Sequence, residues 1–444
     1  MKPNSRPQPK IGQIENWYRG AMIIPVDDET ALYYNDGIIG ADGTGAICDL
    51  GEAGLLLQRY NLESGMIKRN EGLLMPAFFD AHFHWVQDRV RQMPKDSLLE
   101  WLEQYTFPTE ARFEEEGFAR EEARRFWSAI YSFGTIGGFC YSSIHPGALD
   151  TAMNEAPEAF SIGNVLMTMN CPEALRLSPE DAVRGVAEGI ERYGRRYLVT
   201  PRFAPVTDPE VMQAAAKLGS AAGTSFQTHL SETPAEIEWV LGIYRQMEGF
   251  EKVADYSSIY DAVGLLGPKT VLGHCLHLSE REWALLGERG AMVASCPTSN
   301  APLAENGLGS GLFPFETADR FGVDWALGSD IGGGPSLSMF DVLESFVRQN
   351  RAAGVAGGTY CRGLYRATVA GARICGWGEK KGRLAVGFDF DAVRIGWPEE
   401  YGPGSEPEQI LEGVLSRSSR ADYEAMVEET IVGGKSVFRR TGHA

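Results

Sequence analysis

Apolar runs of six to nine residues recur through the middle of the chain, and most of them are followed by a helical segment. These segments contain helix-start patterns such as Thr233-Pro-Ala-Glu236 and Ser279-Glu-Arg-Glu282. Eight strand–helix units over about 280 residues predict a (β/α)8 barrel of the TIM type. A doubly wound open sheet is the alternative, but it explains eight successive units less well and would need a Gly-rich turn after its first strand. The predicted strands lie at 73–79, 135–143, 159–167, 197–204, 225–230, 270–275, 292–297 and 323–330.

Both ends of the chain show a different pattern, in which short alternating runs are broken by turn dipeptides. Asp36-Gly37 and Gly433-Gly434 are dipeptides typical of hairpins. We therefore predict that residues 1–72 and 381–444 together form a small β-sandwich beside a barrel domain at 73–380. The first ten residues are polar and Pro-rich, and we expect a loose arm there.

Composition narrows the classes of function. A hydrophobic fraction of 43% and a charged fraction of 23% are typical of a globular protein with a sizeable core. The net charge of −19 argues against nucleic acid or an anionic membrane as a partner. We find neither a signal-peptide pattern nor an apolar stretch of about 18 residues. Seven scattered cysteines without C-x-x-C spacing predict reduced thiols in a cytoplasmic protein.

Histidines are few, and their positions are informative. His82 and His84 are two residues apart at the end of a predicted strand, so they project to the same side and form half of a metal site. His229, His274 and Asp330 lie at the ends of three later strands. A single histidine there could be a satisfied core residue, but the carboxyl ends of barrel strands meet at one mouth. Four imidazoles and one carboxylate predict one Zn²⁺ per chain, and Fe²⁺ would also accept this set.

The chemistry follows from such a metal site. Bound zinc lowers the pKa of its water from about 15.7 to about 7, which gives hydroxide at neutral pH. Asp330 is placed to take the proton of that water. Glu232, three residues after His229, could hand a proton to a ring nitrogen while hydroxide adds to the adjacent carbon; the alternative for Glu232 is a solvated acid in a first helical turn. His145, just past the second strand, is a candidate substrate contact.

These patterns resemble the metal-dependent amidohydrolase superfamily and, within it, the guanine deaminase family. The superfamily resemblance rests on PAFFDAHFH at 76–84 together with His229, His274 and Asp330. The closer resemblance rests on segments that occur in the expected order across the barrel, namely 98–113, 200–205, 228–232, 274–278, 296–300, 309–313 and 327–334.

The resemblance implies a reaction and a role for each matching residue. The reaction would be guanine plus water giving xanthine and ammonia, with attack at C2, in a homodimeric enzyme. One zinc would be held by His82, His84, His229, His274 and Asp330. Glu232 and Asp330 would shuttle protons. The substrate would be bound by Arg202 at the purine carbonyl, Gln87 at the purine edge and Phe203 near the ring, with Trp101 helping to close the pocket.

Three other interpretations stay open. The same chemistry could act on 8-oxoguanine, a pterin or isocytosine, because these rings share the carbonyl and ring N–H groups of guanine. A catalytically silent scaffold is disfavoured because every candidate ligand and Glu232 are present. Hydrolysis of cyclic amides or esters usually uses two metals bridged by a modified lysine at the end of strand 4, and residues 197–205 contain no lysine.

Overall fold

The computed structural model describes residues 14–95, 97–396, 401–416 and 418–440, and the predicted loose arm at 1–10 lies outside them. The described strands form one sheet of eight strands and one of seven. In chain order they are β1 (Asn16–Pro25), β2 (Ala31–Ala41), β3 (Ile47–Glu52), β4 (Ile67–Pro76), β5 (Phe78–His84), β6 (Thr135–Ser142), β7 (Phe160–Leu166), β8 (Leu198–Pro201), β9 (Ser225–Leu230), β10 (Thr270–His274), β11 (Met292–Ser295), β12 (Trp325–Leu327), β13 (Ala392–Ile395), β14 (Val427–Val432) and β15 (Lys435–Arg439).

Helices connect most of the barrel strands. A π-helical turn, Leu102–Thr106, joins helices α2 and α3. None of the described helices is both long enough and apolar enough to cross a membrane. The α-helices are α1 (Ala53–Tyr60), α2 (Leu98–Trp101), α3 (Phe107–Ala111), α4 (Glu116–Ile130), α5 (Pro146–Glu155), α6 (Pro179–Tyr193), α7 (Pro209–Ala222), α8 (Pro234–Tyr244), α9 (Tyr256–Ala262), α10 (Glu280–Arg289), α11 (Pro297–Asn300), α12 (Phe315–Arg320), α13 (Met339–Ala352), α14 (Tyr360–Ala367), α15 (Val369–Ile374), α16 (Pro407–Leu415) and α17 (Arg420–Ala425).

The eight-stranded sheet is the barrel. Strands β5 to β12 lie side by side in chain order, and each pairs in parallel with the next. The gap between β12 and β5 is bridged where the Asp330 N–H donates to the His82 carbonyl oxygen over 2.8 Å. The Ser329 N–H likewise donates to Asp80 Oδ1 over 2.9 Å. The predicted (β/α)8 barrel is confirmed, and its carboxyl-terminal mouth gathers the ends of all eight strands.

The seven-stranded sheet is built by both ends of the chain. Its strand order is β15-β14-β13-β4-β1-β2-β3, with β4 parallel to β1 and antiparallel to β13. The prediction was a small β-sandwich made jointly by the two ends, and the structure shows that both ends build one separate seven-stranded sheet. The domain limits at residues 72 and 380 stay a prediction, and β4 crosses the first of them.

The apolar run at 73–79 is not one barrel strand, so this predicted strand is wrong. Its first four residues end β4, and the barrel strand begins at Phe78. The Ala77 N–H donates to the Asp391 carbonyl oxygen beside β13, whereas the Phe78 N–H donates to the Gly134 carbonyl oxygen beside β6. The whole run is fully buried and contains no polar turn, so hydrophobic periodicity alone could not locate the break.

The two predicted capping boxes are present. At the start of α8 the Thr233 side chain accepts from the Glu236 N–H, and the Glu236 carboxylate accepts from the Thr233 N–H in return. Ser279 and Glu282 make the same reciprocal pair at the start of α10. Both boxes satisfy backbone N–H groups that have no partner inside the helix.

We expect Ser279→Ala to lower the free energy of unfolding by about 1 kcal/mol, because the Glu282 N–H loses its acceptor. The shift of the urea unfolding midpoint measures this effect. Ser279→Thr keeps a hydroxyl group and should unfold close to the wild-type midpoint. A midpoint for Ser279→Ala equal to that of the wild type would contradict the stabilising role of the box.

Candidate metal centre and active site

Five side chains converge at the carboxyl ends of the barrel strands. His82 and His84 come from β5, His229 from β9 and His274 from β10, while Asp330 lies just beyond β12. Ligand atoms of His82, His84, His229 and Asp330 all lie within 4.8 Å of one another. Asp330 Oδ1 is 3.4 Å from Nε2 of both His82 and His84, and Asp330 Oδ2 is 3.9 Å from His274 Nε2. The structure thus brings the whole predicted ligand set together.

The backbone around this cluster adopts an uncommon conformation. Seven described residues other than glycine have positive φ, and three of them are asparagines, which tolerate it, as Asp and His also do. The other four all lie at the mouth, namely Ser231, His274, Cys275 and Asp330, with φ between 47° and 71°. Such conformations cost free energy and persist where the surrounding structure holds them, as at functional sites.

The protonation states of four of the five groups suit a cation. For the fifth, His274, burial lowers the pKa, but the carboxylates of Glu232 and Asp330 raise it overall. Burial lowers the pKa of the His82, His84 and His229 imidazoles, so these rings are neutral near pH 7. Burial would raise the pKa of Asp330, but the imidazoles of His82, His274 and His84 lower it overall. Neutral imidazole and ionised carboxylate are the forms that bind divalent metals.

Hydrogen bonds leave the relevant nitrogen atoms free for a metal. The His229 Nδ1–H donates to the Arg202 carbonyl oxygen over 2.7 Å, which turns the lone pair of Nε2 towards the cluster. That Nε2 lies 3.2 Å from His84 Nε2. His82 Nε2 is buried and makes no hydrogen bond. A cation would satisfy these nitrogens, so the donor set fits a metal ion.

Tyr141, at the end of β6, packs against the histidines. Its ring is stacked on His84, with centroids 4.4 Å apart and planes 24° apart. The centroid of His82 is 4.7 Å away and that of His229 is 4.8 Å away. Tyr141 is fully buried, so its ring restricts the orientation of the three imidazoles.

Glu232 is a buried carboxyl group beside the cluster. Its Oε2 is 3.6 Å from His274 Nε2, and its Oε1 accepts from Asn300 Nδ2 over 3.2 Å and from the Ser310 hydroxyl over 3.1 Å. Burial raises the pKa of Glu232 to about 7. A carboxyl group with such a pKa can both accept and donate a proton near neutral pH.

The capping box of α8 holds Glu232 in place. Glu236 Oε2 accepts from the Glu232 N–H over 2.7 Å and from the Thr233 N–H over 3.3 Å. The alternative interpretation of Glu232 as a solvated first-turn acid is wrong, because only 3% of its surface is exposed.

A cavity of about 430 Å³, counting its open mouth, adjoins the cluster. Four of the predicted substrate contacts line it: Gln87, Trp101, Arg202 and Phe203. The remaining wall is formed by His84, Leu98, Leu102, His229, Glu232, Glu236, His274, Leu308, Asp330 and Gly333.

His145 does not line this cavity, so the structure gives no support to its predicted substrate contact. It lies beyond the end of β6 and forms the N-cap position of α5. The prediction assumed that residues just past a strand end face the mouth, but His145 already belongs to the start of the next helix.

Three residues of the site carried no signal of their own in the sequence. Asn300 and Ser310 hold Glu232 from segments 68 and 78 residues away. Glu110 is fully buried in α3, where it accepts from Gln87 Nε2 over 2.7 Å and pairs with Arg202. The only signal was that all three lie in segments resembling guanine deaminases. Such contacts depend on the tertiary structure.

Comparison with known proteins places the chain in a family. A sequence profile of the amidohydrolase family matches residues 73–437. The guanine deaminase of Escherichia coli (strain K12) is 34% identical over 330 residues, which cover 72% of this chain and 72% of that protein. The probable guanine deaminase of Deinococcus radiodurans is 33% identical over 434 residues, which cover 93% of this chain and 94% of that protein.

A solved structure agrees with these sequence matches. The guanine deaminase from C. acetobutylicum, with guanine bound in its active site, superposes with a TM-score of 0.82 at 25% identity, covering 95% of this chain and 100% of that chain. The profile spans the barrel and reaches into the last strand of the seven-stranded sheet. The chain therefore belongs to the amidohydrolase family, and the relatives it resembles within that family are guanine deaminases.

Proposed function

We propose that this protein is a metal-dependent deaminase that converts guanine and water to xanthine and ammonia. One observation carries the proposal: Glu232, Arg202 and four of the five proposed ligands line one cavity, those ligands being His84, His229, His274 and Asp330. Glu232 can move protons there, and Arg202 can bind a carbonyl group. The names of the relatives, and the guanine in the C. acetobutylicum structure, support guanine as the substrate.

For the cofactor we propose one zinc ion per chain, although Fe²⁺ accepts the same ligands. The ligands would be His82, His84, His229, His274 and Asp330. When bound, the metal supplies a water molecule that is activated at neutral pH. A single ion agrees with the sequence at the end of β8, where no lysine is available to bridge two ions.

The cavity side chains have complementary tasks towards the purine. The Arg202 guanidinium donates to the carbonyl oxygen O6, because its planar fork suits an oxygen acceptor. Gln87 hydrogen-bonds the purine edge. Phe203 packs near the ring and is itself supported by Trp239, with centroids 6.0 Å apart. Trp101 contributes an indole face that helps to exclude bulk water.

Two carboxyl groups then handle the protons. Asp330, whose lowered pKa keeps it ionised, accepts the proton of the attacking water. Glu232 delivers a proton to the ring nitrogen beside C2, so that hydroxyl and hydrogen have been added across the C=N bond. The ionised Glu232 then takes the proton of the new C2 hydroxyl group and passes it to the amino group. The C2–N bond breaks, the C2 carbonyl group forms and ammonia leaves. The proton held by Asp330 returns Glu232 to its protonated form. The two roles differ because the raised pKa of Glu232 lets it carry a proton near neutral pH, whereas the lowered pKa of Asp330 keeps it ionised.

For assembly and location we propose a homodimer in the cytoplasm. The seven cysteines are all buried and unpaired, which agrees with a reducing compartment. The dimer is an expectation from the family resemblance. Sedimentation equilibrium would contradict it by giving the mass of a single chain, and cell fractionation would contradict the compartment by finding the protein outside the cytoplasm.

Ammonia release from a panel of heterocycles tests the substrate. We expect kcat/KM for guanine to exceed that for 8-oxoguanine, a pterin and isocytosine by about tenfold or more, which corresponds to about 1.4 kcal/mol in transition-state binding. A higher kcat/KM for another ring would show that this ring, and not guanine, is the preferred substrate. The proposed proton-transfer roles would then still stand. No release from any ring by the zinc-loaded protein would contradict deamination itself.

The role of Glu232 is tested by Glu232→Gln, which keeps the shape of the side chain and removes its titrating group. We expect kcat to fall by about 10²- to 10⁴-fold, because proton transfer is lost. Zinc content should stay at one per chain, because Glu232 is not among the proposed ligands. The matched control is Glu238→Gln, which should keep full activity because Glu238 is an exposed acid on α8, the helix that begins two residues after Glu232. Retention of more than a tenth of the wild-type kcat by Glu232→Gln would exclude Glu232 as the proton carrier.

A further inference from the structure

We propose that Glu110 is a positioning residue that fixes the hydrogen-bonding pattern with which the cavity selects 6-oxopurines. This inference rests on the proposed function, because it concerns how the same cavity reads its substrate. Glu110 does not line the cavity, and it acts through Gln87 and Arg202, which do.

The Glu110 carboxylate joins the two side chains that read the substrate. Its Oε1 accepts from Gln87 Nε2 over 2.7 Å, and its Oε2 accepts from Arg202 Nη1. The Glu110 side chain is fully buried, and the Arg202 side chain is 3% exposed. A charge-assisted pair with so little access to water is costly to break, because the remaining charge would stay buried without a partner.

Neighbouring side chains restrict Arg202 further. The guanidinium lies over the Phe107 ring, 5.2 Å from its centroid, and Nη1 is 3.9 Å from Met167 Sδ. Phe107 and Glu110 are one turn apart on α3, so the same helix supplies the ring and the counter-charge. Arg202 is thereby held with its other N–H groups available to the cavity.

The carboxylate also determines which atom Gln87 presents. A carboxylate can only accept, so the Gln87 amide must turn its NH₂ group towards Glu110, which leaves Oε1 as the free acceptor. Gly332 provides room for this orientation, because a Cβ atom there would lie 2.1 Å from Gln87 Oε1. The position has φ +116°, a conformation that other residues rarely adopt.

The cavity therefore presents N–H donors from Arg202 and one acceptor from Gln87. This pattern complements a ring with a carbonyl group and an N–H group, as in 6-oxopurines. A 6-aminopurine would present its amino group to the N–H groups of Arg202. Both groups are donors, so one buried N–H would have no acceptor. A site built around hydrogen bonds rejects a ligand that cannot make them far more strongly than an apolar pocket does.

The test is Glu110→Gln, compared with the wild type and with Glu282→Gln. Glu282 is a matched control, because it is a buried carboxylate with hydrogen-bonded partners outside the cavity. Calorimetry measures binding of hypoxanthine, which has the 6-oxo group but no 2-amino group to lose, and of adenine. Steady-state kinetics with guanine gives KM and kcat separately.

We expect Glu110→Gln to raise the Kd for hypoxanthine and the KM for guanine by roughly 10- to 100-fold, the effect of losing a charge-assisted hydrogen bond. The preference for hypoxanthine over adenine should fall by about tenfold or more, because the Gln87 amide can now turn over. kcat should change by less than about threefold, and Glu282→Gln should bind both purines like the wild type.

An unchanged purine preference in Glu110→Gln would overturn the inference, even if the variant were less stable. If the variant does not fold, the wild type still tests the proposed arrangement of Arg202 donors and a Gln87 acceptor. Equal affinity of the wild type for hypoxanthine and adenine would contradict that arrangement. A wild-type protein that prefers hypoxanthine but releases no ammonia from guanine would refute the proposed function and leave this inference standing.

Discussion

The burial of four imidazoles around one carboxylate is the constraint on which the rest of the site depends. Removing these groups from water keeps three of the rings neutral and leaves two nitrogens, His82 Nε2 and His84 Nδ1, without hydrogen-bond partners. The fold maintains this arrangement with left-handed backbone at His274 and Asp330 and with the Tyr141 ring packed on the histidines. An arrangement so poor in internal hydrogen bonds makes physical sense when a cation completes it.

Around this centre, each functional side chain is oriented by a neighbour that belongs to the scaffold. Glu236 both caps α8 and holds the backbone of Glu232, so the start of a helix positions the proposed proton carrier. Glu110 performs the corresponding task for Gln87 and Arg202. Proton transfer is therefore linked to a helix start and substrate recognition to a buried ion pair, while metal binding depends on the ends of the barrel strands. The chemistry of the site depends on rigid elements and not on exposed loops.

The sequence predicted those features that depend on local pattern. The His82 and His84 pair followed from the two-residue period of a strand, and the ligands His229, His274 and Asp330 followed from the meeting of strand ends in a barrel. It misplaced the first barrel strand, because nothing in the apolar run at 73–79 marks the change from one sheet to the other. It could not assign the role of Glu110, whose partner Arg202 is 92 residues away. Such pairing arises only when distant segments pack together.

The most direct test of the central claim is X-ray diffraction from crystals of the zinc-loaded protein, recorded at the zinc absorption edge. We expect one anomalous peak per chain, bonded at about 2.0–2.2 Å to the four histidines and Asp330. Two peaks at the mouth, or one peak that leaves His229 or His274 outside bonding distance, would contradict a single metal held by this set. Zinc-loaded protein with no peak at the mouth would show that the buried cluster serves some other purpose.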